Sequence, residues 1–248
     1  KAGLGFARRS ADHAVHEDAE FPILRANVSD TGDYGLAEVG VEPYVEKTVG
    51  PEGIKVAILG ITNHRVPNYE LPSNIPGLSF SDPLVKAQEL SDAVAASSDA
   101  VVALTHIGFT EDPKSVEVDK NVDTNMAKTV SGIDAIVGSH SHTNPATGFG
   151  DTKYLPTILN GPGSTPVIIS QAYRYNNTLG ELFLGFRPKT GGYELVSRAG
   201  QYISVGSSVV EDPAINAIVA PYSVALKAYN DTVIGETTVP TDELQAYT

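Results

Sequence analysis

The sequence predicts an α/β fold in which helices pack on a sheet, and three observations predict it. Short apolar runs recur at residues 54–61, 99–104 and 133–137, each of strand length and apolar enough to be buried. Helix signals separate the runs: Asp82 suits an N-cap and Pro83 a first helical position. The resulting order, strand, helix, strand, helix, strand, is that of a sheet covered by helices.

Taken in order, residues 21–28 (Phe-Pro-Ile-Leu-Arg-Ala-Asn-Val) read as a strand, and 31–40 as a Gly-rich turn region. Residues 42–49 suit an edge strand and 54–61 a buried one. In the helix opened by Pro83, Leu84, Ala87, Leu90 and Val94 recur at helical spacing on one face. The strand at 99–104 runs straight into Thr105-His106-Ile107-Gly108. A polar helix is expected over 113–130. The strand at 133–137 runs into Gly138-Ser139-His140-Ser141-His142-Thr143. Residues 148–164 read as loop, and 167–170, 179–186 and 193–203 as strands paired antiparallel. Asp212-Pro213 starts a last helix, with Ile215, Ile218, Val219, Tyr222, Leu226 and Tyr229 to one side and Pro221 expected to kink it.

A chain of 248 residues with 41% hydrophobic residues can bury a large core. Its 17 basic and 30 acidic residues give a net charge of −13, which repels nucleic-acid backbones and anionic membranes. A small phosphate substrate stays compatible with that charge, because a bound metal dominates its local field. No apolar run reaches the roughly 18–20 residues of a membrane span. The absence of cysteine excludes disulfides, thiolate metal sites and cysteine nucleophiles. No Gly-rich phosphate loop with Lys-Ser/Thr and no Gly-X-Ser-X-Gly elbow is present.

Histidine carries the chemistry. His106, His140 and His142 all follow predicted strands, and ligands of open α/β sheets collect beyond the carboxyl ends of strands. Gly108 and Gly138 allow sharp turns beside them. The His-X-His spacing places two imidazoles on one side of an extended stretch, or splays them toward two ions in a turn. One histidine after a strand is most often structural; three at matching strand ends point to a metal. His13 and His16, spaced i and i+3 among charged residues, suit a solvated helix, and His64 an exposed loop. Three Asn-X-Ser/Thr triplets occur, at Asn27, Asn176 and Asn230; Asn176 and Asn230 are the glycosylation candidates, since Asn27 ends an apolar run.

The segments Ala103-Leu104-Thr105-His106-Ile107-Gly108 and Gly132-Ile133-Asp134-Ala135-Ile136-Val137-Gly138-Ser139-His140-Ser141-His142-Thr143 resemble the 5′-nucleotidase branch of the calcineurin-like metallophosphoesterases. Weaker agreement extends over nearly the whole chain. The resemblance implies part of a four-layer αββα sandwich with mixed sheets, ending in a linker helix. It divides the chain into the C-terminal part of a metallophosphoesterase domain (1–208), the linker helix (209–235) and the start of a second domain (236–248). It implies two divalent ions, zinc, manganese or similar, about 3.5–4 Å apart. His106 and His140 would bind one and His142 the other. The implied reaction is hydrolysis of a nucleotide phosphomonoester to a nucleoside and phosphate, by a secreted or cell-surface glycoprotein of nucleotide catabolism.

Departures from the family pattern shape further expectations. The family's Asp-X-His, bridging Asp and Gly-Asn-His-Glu/Asp do not occur in this sequence, and Lys1-Ala2-Gly3-Leu4 resembles the residues that follow the last of them. The catalytic histidine is therefore expected outside this chain, with a companion chain supplying the earlier motifs. The chain alone is expected to be inactive. Ser139 stands where the family frequently has glycine. Two alternatives remain at this point: a cyclic-nucleotide or nucleotide-sugar phosphohydrolase of the same branch, and a non-catalytic binding protein on the same scaffold.

Overall fold

The computed structural model describes residues 19–31, 34–36, 40–110, 119–144 and 155–235. The chain divides into two units, Lys1–Val205 and Gly206–Thr248.

In the first unit the predicted apolar runs pair side by side. Strands β3 (Ile54–Thr62), β5 (Ala100–His106), β6 (Ala135–Gly138) and β8 (Pro166–Gln171) are parallel neighbours in that order. Antiparallel strands close both edges, β2 (Tyr44–Val49) on β3 and β7 (Thr157–Asn160) on β8. A separate short pair joins β1 (Val28–Asp30) to β4 (Leu78–Phe80), and β9 (Thr178–Lys189) forms a long hairpin with β10 (Gly192–Ser204).

Alternation along the strands sorts side chains to two faces. One face carries Ala57, Leu59 and Ile61, Val101 and Ala103, Ile136, and Val167 and Ile169, all buried. It is covered by α1 (Pro83–Val94) through Ala87 and Val94, and by α2 (Asp123–Thr129) through Met126 and Ala127. Asp82 caps α1 as expected, accepting the N–H groups of Leu84 and Val85 at 2.8 and 3.1 Å. Leu84 and Leu90 pack only partly against the core, and Ser91 joins Ala87 and Val94 on the buried side. The opposite face shows Leu104 47% and Val137 39% exposed.

The hairpin is clamped to the other end of the sheet by two aspartates. Asp99 accepts Lys55 N–H and Tyr193 N–H. Asp134 accepts Val101 N–H at 3.0 Å and the Arg198 guanidinium at 2.5 Å; the Arg198 side chain is only 8% exposed.

Several sequence expectations are corrected. Residues 21–28 do not form one strand: Leu24 makes a single bridge to Glu42, and Ala26 N–H bonds to Gly60 O, so the segment crosses β3 instead of running along it. Gly60 permits the crossing, since a Cβ there would lie 2.3 Å from Leu24 Cβ. The helix expected over 113–130 is shorter. Val122 is extended (φ −127, ψ 163) and Asp123 is the first helical residue, while residues 111–118 lie outside the described part. Within 148–164, expected as loop, Thr157–Asn160 is an edge strand and Pro162–Ser164 a 3-10 turn. Strand β8 pairs parallel with β6 as well as antiparallel with β7.

In the second unit α3 (Pro213–Asn230) is capped by Asp212 and runs as one helix through Pro221. Residues 236–248 lie outside the described part. Among the described residues no helix is long and apolar enough to cross a membrane.

Removing one partner of a buried ion pair leaves an uncompensated charge, which costs about 3 kcal/mol or more. Asp134→Ala is therefore expected to destabilise the chain by about that amount. Arg198→Met, which leaves Asp134 bonded to Val101 N–H, should cost clearly less. Urea denaturation of the two variants checks the order.

Candidate metal centre

The four parallel strands deliver their carboxyl ends to one edge of the sheet. Asn63 follows β3, His106 ends β5, His140 and His142 follow β6, and Gln171 ends β8. Register fixes the neighbours. Leu104 pairs with Val137 and Gly138 with Gln171. Two residues beyond the first pair, His106 meets Ser139 on the face away from the helices. Thr105, Gly138 and Gln171 fall on the helix-covered face.

The rings of His106 and His140 stand edge to face with centroids 5.1 Å apart. His106 Nδ1 lies 2.7 Å from Ser139 Oγ, and His140 Nε2 lies 3.2 Å from Asn63 Nδ2. The ring of His142 faces another aromatic, its centroid 6.2 Å from that of Tyr175. His140 and His142 both hold left-handed backbone, at φ 84 and 49. Non-glycine residues there are strained by about 1 kcal/mol or more each, and persist only where surroundings over-determine them.

Hydrogen bonds centred on buried Gln171 supply that constraint. Gln171 Nε2 donates to Ser139 O at 3.1 Å, and its Oε1 accepts Thr143 N–H and the Ser141 hydroxyl. Ser141 Oγ accepts Phe109 N–H at 3.0 Å. Gly108, at φ +91, donates its N–H to Ser139 O at 3.0 Å. The loop after β5 and the loop after β6 are thereby tied to each other and to β8.

Behind them sits Asp123, with no solvent exposure. Its Oδ1 accepts the Thr105 hydroxyl at 2.6 Å, and its Oδ2 has no partner. Oδ2 lies against Gly138, where a Cβ would come within 2.0 Å of it. Burial pushes the Asp123 carboxyl up to about 7, the Thr105 hydrogen bond only partly opposing.

The electrostatics of the histidines favour ligand chemistry. Burial lowers the His106 imidazole below its usual value, and His142 adds to the effect. Burial likewise lowers His140, reinforced by His106 and His142 and opposed by Asp119. Both rings are thus neutral at neutral pH, the form that binds metal. A pocket of about 420 Å³ opens beside His140, lined in part by Asn63, Arg65, Tyr69, Thr110 and Asp119.

Imidazole donors such as His106 and His140 suit zinc and neighbouring transition-metal ions. Among the described residues no group of three or more His, Asp or Glu stands at ligating geometry, so a complete coordination shell would need further donors.

Other expectations divide. His64 is half-buried with a buried, unpartnered Nδ1, a correction to the exposed loop residue expected. His13 and His16 lie outside the described residues. Asn176 and Asn230 are exposed. Asn27 is buried, its amide donating to Thr62 O and Ser81 O, which leaves no room for a glycan. Sequence reasoning missed Asn63, Asp123 and Gln171. Asn63 and Gln171 were findable by the same strand-end rule that found the histidines; Asp123, in a polar stretch, gave no signal.

No family model matches the chain. It is 31% identical over 229 residues to the 5′-nucleotidase of Diplobatis ommata, covering 90% of this chain and 36% of that protein. The chain therefore spans under two fifths of that relative's length. Among solved structures it matches the 5′-nucleotidase precursor of Thermus thermophilus, with TM-score 0.71, 25% identity, 92% of this chain and 42% of that one. It also shares the fold of the calcineurin-like phosphoesterase YfkN of Bacillus subtilis, with TM-score 0.63 and 21% identity over 85% of this chain and 64% of that one.

The raised Asp123 carboxyl makes stability depend on pH. An unfolded Asp titrates near 3.9, so between about pH 4 and 7 the native chain keeps a proton the unfolded chain has lost. Stability falls as pH rises through that window and levels off above it, a total on the order of 4 kcal/mol. Asp123→Asn, which cannot ionise, is expected to gain relative to the parent by that order between pH 4 and pH 8. Denaturation at both pH values reads it, and equal differences at the two would remove the buried acid from consideration.

Proposed function

We propose, from a sequence and fold that are those of the 5′-nucleotidases over the segment this chain spans, that His106, His140 and His142 contribute ligands to a divalent-metal centre hydrolysing nucleotide phosphomonoesters. The observation that carries the reading is the convergence of His106 and His140. Two neutral imidazoles from separate strand ends meet with ring centroids 5.1 Å apart, beside an open pocket.

Divalent cations at such a centre polarise phosphate oxygens and supply hydroxide at neutral pH. This chain's residues hold and orient. Gln171, Ser141 and Gly108 fix the two histidine-bearing loops, so the imidazoles are placed before a ligand arrives. That placement avoids reorganisation when charge builds on the phosphate. Asn63, against His140 Nε2, steadies that ring from the neighbouring strand. In this structure Asn63 Oδ1 accepts Arg65 N–H, so its amide nitrogen faces the ring as donor. If His140 held a cation through Nε2, the cation would replace that donor; if through Nδ1, the ring proton would sit on Nε2 and need an acceptor there in place of the amide nitrogen. No described residue of the site is assigned the transfer of a proton to the leaving oxygen.

The substrate of this reading is a nucleoside monophosphate, with water as the second reactant and a nucleoside and inorganic phosphate as products. Elemental analysis of the protein as isolated, repeated after Zn²⁺ or Mn²⁺ loading, tests it together with phosphate release from AMP. His140→Ala is expected to lower metal affinity at least about tenfold and to abolish any AMP hydrolysis, since each ligand lost leaves fewer than a stable shell requires. Undiminished metal binding in His140→Ala would falsify the assignment.

A further inference from the structure

A single hydroxyl proton decides which nitrogen of His106 faces the site. Ser139 Oγ lies 2.8 Å from the carbonyl oxygen of Thr105 and 2.7 Å from His106 Nδ1. A carbonyl oxygen only accepts, so Ser139 gives its one proton to Thr105. What remains toward His106 is an oxygen lone pair. Nδ1 therefore carries a proton and donates it to Ser139, and in the neutral ring the lone pair sits on Nε2.

Ser139 is itself held in place. Its backbone oxygen accepts Gly108 N–H at 3.0 Å and the Gln171 amide at 3.1 Å. The β5–β6 register puts it opposite His106 on the same face of the sheet. Thr105, whose carbonyl receives the hydroxyl, is anchored through its own side chain to buried Asp123. The contact is thus the outer end of a chain of fixed groups, and the hydroxyl is ordered before any ligand binds.

We propose that Ser139 is a positioning residue that locks His106 in the Nδ1–H form and presents Nε2 to a divalent cation. The proposal rests on the metal-centre reading above.

The partner on the far nitrogen of a metal-binding histidine fixes tautomer and orientation, and its loss typically costs 10–100-fold in metal affinity. Three variants of the full chain test this: Ser139→Gly, Ser139→Ala and Ser139→Thr. Long-range ¹H–¹⁵N spectra at neutral pH without metal read the tautomer, and Zn²⁺ titration reads the affinity. The parent is expected to show His106 protonated at Nδ1. Ser139→Gly and Ser139→Ala should show a tautomer mixture and at least about tenfold weaker Zn²⁺ binding. Ser139→Thr, which keeps the hydroxyl, should restore both.

A parent His106 protonated at Nε2 overturns the proposal. So does a Ser139→Gly chain with unchanged tautomer and unchanged affinity, and that result leaves the metal-centre reading standing. A parent whose His106, His140 and His142 signals ignore Zn²⁺ overturns the metal-centre reading, and with it the cation that Nε2 is proposed to meet, even where the tautomer is as expected. Ser139→Thr serves also as the folding control, since a variant with parental backbone spectra and no restoration rejects the hydroxyl as the cause.

Discussion

The parallel pairing of β5 with β6 is the constraint on which the site depends. Strand registers repeat every two residues, so a slip of one position would send a whole strand's side chains to the opposite face. With Leu104 beside Val137, Thr105 and Gly138 turn toward the helices while His106 and Ser139 turn away. One register therefore serves two purposes. It closes the core over Ala103 and Ile136, and it sets an imidazole next to the hydroxyl that orients it. The His-X-His loop can then arrive strained at two residues, because the strand beneath it is not free to move.

The same pairing explains an interior acid that simple burial rules would forbid. Asp123 is enclosed with one oxygen unpartnered, an arrangement that costs free energy unless the carboxyl holds its proton. Its position accounts for its presence. It touches Thr105 just before His106 and Gly138 just before the His-X-His loop, and its backbone N–H bonds to Gly108 O. A hydrophobic side chain could fill that space but could not tie Thr105. A larger residue at position 138 is excluded in turn, since any Cβ there would collide with the carboxyl. The glycine that the sequence suggests as a turn former is required for a different reason: close approach of a side chain from α2.

How much was legible in the sequence follows from how local each signal is. The runs at 54–61, 99–104 and 133–137 are strands within one or two residues, because a short, nearly continuous apolar run bounded by turn residues reads as a central strand without reference to distant partners. The Asp82-Pro83 and Asp212-Pro213 starts are caps whose hydrogen bonds lie within four residues. The histidines were found by a topological rule that needs only strand ends. What was missed depends on distant partners. Edge strand β7 is four residues without a clean alternation, recognisable only from its pairing with β8. The direction of β8 is set by β6, about thirty residues earlier, and not by its own composition. The start of α2 lacks a side-chain cap, and its first residue, Asp123, bonds instead to Thr105, a contact across eighteen positions. His64 is a turn residue as the sequence suggests, but its half-burial depends on packing that no local signal records.

Electrostatics complete the connection between this architecture and its proposed chemistry. The chain carries −13 overall, yet a neutral imidazole, unlike a carboxylate, subtracts nothing from the charge of a cation it binds. Carboxylate ligands would neutralise part of it at once. On the proposed reading, the cation held by His106 and His140 keeps most of its charge for an anionic phosphate, in a protein whose surface otherwise repels anions. Partial desolvation lowers both imidazoles, with His142 adding to it at His106 and both His106 and His142 at His140, which favours their neutral forms. A protonated pair would attract phosphate without activating it and would exclude the metal. The fold thus spends desolvation on the groups where the neutral form is the useful one.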